Sequence, residues 1–220
     1  MLTTTFVLAT TLCTATPATP RDTTAADSAF ARAWAAGVPF RTFEATIRAR
    51  KDDWRRSIDG ARVDAATVAR GRKVGGTWRL LVVATDSCGD SMRAVPVLAA
   101  LDDSLASVEL RVVSPDAGRA VQEANRTWNG RVATPTVVLL DSLGRQAGCI
   151  VERPAPVRAQ QRAAWGELTA GRVTSDSLTR VMLRWWDADR GASLAREAVE
   201  LLESARERLP LCERGIAPAR

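Results

Sequence analysis

The 220-residue chain contains no histidine and no tyrosine. Without histidine it cannot build a Ser-His-Asp or Cys-His catalytic arrangement, a His-containing zinc site or an imidazole proton relay. Lysine is reduced to Lys51 and Lys73, and cysteine to Cys13, Cys88, Cys149 and Cys212. Those cysteines are too thinly spread for a disulfide-dense scaffold and form no CxxC pair, which removes the zinc ribbon. No metal site and no cofactor is assigned. The groups left for covalent or acid–base chemistry are carboxylates, hydroxyls, the two lysines and the cysteines, and the cysteines carry most of the functional weight.

What remains is an ordinary globular composition, 46% hydrophobic and 25% charged, enough for one substantial core or one domain with appended helices. The net charge of +6 comes almost wholly from arginine and alternates with acidic residues, as in Arg48-Ala49-Arg50-Lys51-Asp52-Asp53. That pattern is solvated helix surface, so no nucleic-acid partner is expected. The segment 5–15 is apolar but too short for a membrane span, and Pro17 and Pro20 follow it. Residues 1–26 therefore read as a disordered tail or a weak signal peptide cut after Ala15. The expected location is cytoplasmic, or periplasmic if that segment directs export, and the expected state is a monomer.

Helical spacing predicts helices over 28–36 and 42–58, the second with Phe43, Ile47 and Trp54 on one face, and a short one over 63–69 closed by Gly71. From Trp78 the character changes. Residues 79–85 form a near-continuous apolar run, the signature of a strand buried on both faces. A helix over 91–105 carries Val95, Leu98, Leu101 and Leu105 at helical spacing. A strand over 108–113, a helix over 116–128 and strands over 136–140 and 146–151 follow, the last two joined by an Asp141-Ser142-Leu143-Gly144 turn. Helices over 157–168, 175–186 and 193–209 close the chain. The order β-α-β-α-β-β predicts an α/β core with a mixed sheet of four or five strands and a closing antiparallel hairpin. The boundaries expected are a tail over 1–26, a helical extension over 27–76, the core over 77–154 and a second helical extension over 155–210 packed on it.

Cys88 falls where a buried strand hands over to a helix, in the loop Ser87-Cys88-Gly89-Asp90-Ser91. Unsatisfied N–H groups at a helix N-terminus favour an anion, here a thiolate. Ser91 can donate to that thiolate, while Asp90 opposes it. Cys149 and Cys212 read as structural or incidental, and the tryptophans Trp165, Trp185 and Trp186 as packing residues.

With Cys-Gly-x-x after a strand, Pro96 eight residues beyond Cys88, and Thr134-Pro135 opening a later strand, the chain resembles the thioredoxin fold. It is also similar to a bacterial thioredoxin-like family with a Trp-Cys-Gly-Asp motif. The further matching residues are Val151-Glu152-Arg153-Pro154 and Trp185-Trp186-Asp187-Ala188-Asp189-Arg190-Gly191. The resemblance implies that Cys88 is the catalytic cysteine, that Pro96 kinks the following helix, and that Pro135 is a cis-proline facing Cys88. Thr134 beside it would offer a substrate a strand-pairing edge. Three departures stand out: Ser91 replaces the second cysteine of a CxxC pair, Ser87 the motif tryptophan, and Val82 a buried carboxylate. Dithiol cycling at this site is therefore excluded.

Three functions fit. One is a monothiol disulfide oxidoreductase, in which Cys88 forms a mixed disulfide with a disulfide-containing protein or a low-molecular-weight thiol and an external thiol resolves it. Another is a redox-inactive peptide-binding or chaperone-like module that keeps the cleft. The third is a redox sensor that pairs Cys88 with Cys149, which requires their Cα atoms within about 7 Å.

Overall fold

The computed structural model describes residues 23–207 and Cys212. Four strands build one sheet: β1 (Trp78–Val83), β2 (Val108–Val113), β3 (Thr136–Leu140) and β4 (Gln146–Val151). Their order is β2-β1-β3-β4, with β1 parallel to β2 and antiparallel to β3, and β3 antiparallel to β4. This is the mixed four-stranded α/β sheet the sequence predicts. No fifth strand forms among the described residues, where Val38 makes only an isolated bridge to Val112 at the β2 edge.

The alternation of side chains along each strand sorts the apolar residues into two layers. Leu80 and Val82 of β1, with Leu110, Val137 and Ile150, face α3 (Lys51–Gly60), α5 (Gly89–Ser104) and α10 (Ala192–Arg206). Leu81 and Val83, with Val113, Val138 and Cys149, face Phe30 and Trp34 of α1 (Thr23–Ala36) and Val121 of α6 (Arg119–Ala124). Strand β1 is therefore central and covered on both faces, as its apolar run requires.

The helix expected over 42–58 is two helices, α2 (Phe40–Thr46) and α3. Asp86, in the loop after β1, accepts hydrogen bonds from the Arg48 and Ala49 amides at 2.8 and 2.9 Å. Those amides are lost to the helix ladder, Arg50 turns left-handed at φ 54, and the chain restarts. The Ala49 and Arg48 amides hold the Asp86 carboxyl below its ordinary range. Gly71 does not close the third helix either. It lies inside α4 (Ala65–Val74), where a Cβ would stand 2.6 Å from Leu105, so the glycine permits close packing and Gly75, at φ 63, ends the helix.

The helix expected over 116–128 shrinks to α6. Gly118 closes a turn onto Ser114, and the Asn125 side chain donates to the Val121 carbonyl at the far end. The helix expected over 157–168 divides into α7 (Ala155–Ala163) and α8 (Trp165–Thr169), and α9 (Ser175–Asp189) runs three residues past its expected end. The expected tail or signal peptide lies outside the described residues apart from positions 23–26, which open α1; residues 208–209 of the last expected helix also lie outside them. Among the described residues no helix is long and apolar enough to cross a membrane.

Asp102, near the C-terminus of α5, accepts from the Leu110 amide at 3.2 Å, and burial, aided by Asp103 and Glu109, pushes its carboxyl up to about 6. Because the folded state holds this proton more tightly than the unfolded chain, Asp102 costs stability as pH rises from 3.8 through about 6. Asp102→Asn keeps the acceptor and removes the charge. Urea unfolding should show a gain of about 1 kcal/mol at neutral pH, scaled down for a half-buried group, that disappears below about pH 4.

Candidate functional site

The N-terminus of α5 is set by Cys88, whose extended backbone (φ −82°, ψ 123°) makes it the N-cap. Its sulfur accepts the Ser91 amide at 3.4 Å, satisfying one of the orphan donors of the first turn. The donor is the Ser91 backbone and not the hydroxyl the sequence suggests, since Ser91 Oγ is buried without a partner. On its other side the Cys88 thiol donates to the Thr134 carbonyl at 3.2 Å. Thr134–Pro135 is a cis peptide. The loop carrying it is pinned by Gln122 and Thr136, both donating to the Ala133 carbonyl at 2.8 Å. Sequence-distant segments thus meet at the sulfur of Cys88, a partly buried residue with a free thiol.

The remaining predicted site residues flank this centre. Ser87 is exposed, with its hydroxyl 3.3 Å from that of Thr85. Gly89 is closely approached by the guanidinium groups of Arg50 and Arg93, 2.9 and 3.3 Å from where a Cβ would stand. Pro96 lies buried inside α5.

Asp90 does not stand as a bare charge beside the thiol. Its Oδ2 accepts from Arg153 Nε at 3.0 Å, with both side chains nearly nine-tenths buried. Burial pushes the Asp90 carboxyl up and Glu152 adds to this, while Arg153 pulls the other way. Arg153 also lies 3.7 Å from Glu152, whose amide donates to the Pro135 carbonyl at 2.8 Å. The tail of β4 therefore ties the cysteine loop to the cis-proline loop. That link was missed from sequence, although an acidic residue in the first turn of α5 and an arginine ending a buried strand are its two visible halves.

The late motif acts in the same region. Asp187 pairs with Arg93 at 2.6 and 3.1 Å, Asp189 caps α10 through Ser193 at 2.8 Å, and Trp186 is buried. Trp128, on a turn, packs edge-to-face with Trp165 at 5.2 Å.

The Cys88–Cys149 pairing is overturned, because Cys149 is bonded to Cys212 with Cα atoms 5.0 Å apart. Cys149 belongs to the sheet layer facing α1 and α6, so this bridge is structural.

A family model described as thioredoxin matches residues 37–165. No curated protein matches the chain. Among solved structures, it is similar to a protein of unknown function, PA1234 from Pseudomonas aeruginosa, at TM-score 0.58 and 21% identity over 80% of this chain and 97% of that one. It is equally similar to an HIV epitope-scaffold, at TM-score 0.58 and 20% identity over 79% of this chain and 97% of the other. At such identities these likenesses speak for the fold alone, but the family match spans more than half the sequence: the chain belongs to the thioredoxin family.

Proposed function

We propose that the protein is a monothiol disulfide oxidoreductase working through Cys88. The observation that carries this reading is the placement of the free Cys88 sulfur, on a partly buried residue, between the Ser91 amide and the Thr134 carbonyl next to cis-Pro135. The Ser91 N–H and the α5 terminus favour negative charge on sulfur, and no histidine base is needed if the proton leaves to solvent. The Cys88 thiolate attacks one sulfur of a substrate disulfide. That S–S bond breaks, a Cys88 mixed disulfide forms, and the other sulfur departs as a thiolate. An external thiolate then attacks the substrate-derived sulfur, forms a new disulfide with it and releases Cys88 as thiolate. The resemblance to proteins with a Trp-Cys-Gly-Asp motif supports the same residue. In a Cys13→Ser background, Cys88→Ser should lose labelling by iodoacetamide at neutral pH and glutathione-dependent reduction of hydroxyethyl disulfide. Both activities persisting in the variant would sink the reading.

A second reading is a peptide-binding thioredoxin-fold module without redox chemistry. One observation favours it: the Thr134 carbonyl 3.2 Å from the sulfur stabilises the thiol and not the thiolate. The same assay separates the two, because a module of this kind shows no reductase activity in the parent protein.

A further inference from the structure

A cavity of about 380 Å³ lies between the exit of β4 and the helices α7, α8 and α9. That volume is within the range of small-molecule sites. Leu168, Leu178 and Met182 give it an apolar side, and Trp165 joins them, held edge-to-face on Trp128. Methionine beside leucine adapts to more than one apolar shape.

Gln161 separates this cavity from a packing defect. The residue is only 9% exposed and lines the cavity, yet its carboxamide makes no hydrogen bond to any described residue. The buried carboxamides of Gln122 and Asn125 are both engaged, donating to the Ala133 and Val121 carbonyls at 2.8 and 2.9 Å. A buried amide without a partner is uncommon, because leaving it unpaired costs the desolvation of the group. The donor and acceptor that Gln161 holds side by side match the C=O and N–H of a peptide unit.

Charge narrows the class further. The charged residues of the lining are Arg131, Glu152 and Arg153. Arg131 pairs with Glu152 at 3.0 Å, and Arg153 is shared between Asp90 at 3.0 Å and Glu152 at 3.7 Å. In this network two cations meet two carboxylates, so no charge is left over to select a charged ligand.

We infer that this cavity receives an uncharged peptide segment of a partner, which seats one aliphatic side chain against Leu168, Leu178 and Met182 while its backbone amide pairs with the Gln161 carboxamide. The site is distinct from the Cys88 thiol, and its success or failure leaves both readings of the cysteine as they stand.

The probe is N-acetyl-leucinamide, titrated into the full-length protein and followed by NMR. Saturable shifts are expected at the Trp165 indole and Gln161 carboxamide signals. N-acetyl-glycinamide keeps the peptide groups without the side chain and should bind at least about tenfold more weakly. N-acetyl-leucine, whose carboxylate finds no spare cation in the wall, should bind no more tightly than the amide. Gln161→Leu, read at Trp165, should weaken the leucinamide affinity by at least about fivefold. Because the carboxamide holds no bond in the free protein, the same variant should leave the unfolding midpoint unchanged or raise it. No saturable shift, equal binding of the glycine probe, tighter binding of the carboxylate, an affinity untouched by Gln161→Leu, or a lowered midpoint would each overturn the site.

Discussion

Arg153→Met is expected to destabilise the protein by about 3–5 kcal/mol, because it strips the counter-ion from a buried carboxylate. Asp90 and Arg153 are only 13% and 11% exposed as side chains, and their contact is 3.0 Å. Methionine fills similar volume next to Met182, which Arg153 Nη1 already approaches at 3.8 Å, so the loss is electrostatic and not a cavity. Without Arg153, Asp90 keeps its burial and its repulsion from Glu152, the two causes that push its carboxyl above 3.8. A carboxyl raised in the folded state binds its proton more tightly there than in the unfolded chain. Stability contributed by that proton is full below the unfolded value and lost as pH rises through the folded one. The variant should therefore be closest to the parent below about pH 4 and fall furthest behind at neutral pH. Asp90→Asn in the Arg153→Met background should recover most of the loss, a coupling that urea unfolding in a double-mutant cycle reads directly. A single variant within about 1 kcal/mol of the parent at neutral pH would mean that water, not Arg153, satisfies Asp90.

Much of the fold is written locally. The strands at 108–113, 136–140 and 146–151 coincide with β2, β3 and β4, since β2 alternates apolar with charged residues, β3 is a β-branched and apolar run, and the Asp141–Gly144 turn leads into β4. Two of the departures have one cause, a distant partner overriding local periodicity. The pattern of Phe43, Ile47 and Trp54 is helical, yet Asp86, some 37 residues away, takes the Ala49 amide and breaks the helix. Gly71 reads as a stop until Leu105 is seen packed against its bare Cα.

The site divides in the same way. Cys88, Pro96 and Thr134-Pro135 are legible because each carries its constraint in its own residue type and neighbours. The Asp90–Arg153 pair is not, because it depends on where the end of β4 falls beside α5. The role expected of the Ser91 hydroxyl passes to its backbone amide, since the side chain is enclosed by the helix it opens. The part played by Arg93 is equally invisible in a chain whose arginines are everywhere; only tertiary placement distinguishes Arg93, which reaches the Gly89 carbonyl, from those on open helix faces.

Gly191→Ala should cost about 2–5 kcal/mol, from two separable sources. The α9–α10 corner is built from consecutive left-handed residues, Arg190 at φ 52 and Gly191 at φ 79. An L side chain in that conformation costs about 1–2 kcal/mol by itself. In addition, a Cβ at Gly191 would stand 2.4 Å from Val97 Cγ2 and 3.2 and 3.3 Å from two further Val97 carbons. Val97 belongs to α5, and a β-branched side chain in a helix has little rotamer freedom with which to retreat, so the overlap adds about 1–3 kcal/mol. Val97→Ala removes the two γ-carbons. In that background the Gly191→Ala penalty should shrink to the backbone part, about 1–2 kcal/mol, as measured by denaturant midpoints at constant slope. A penalty that stays the same in both backgrounds would place the whole cost in the backbone and remove the corner's contact with α5 as a reason for glycine.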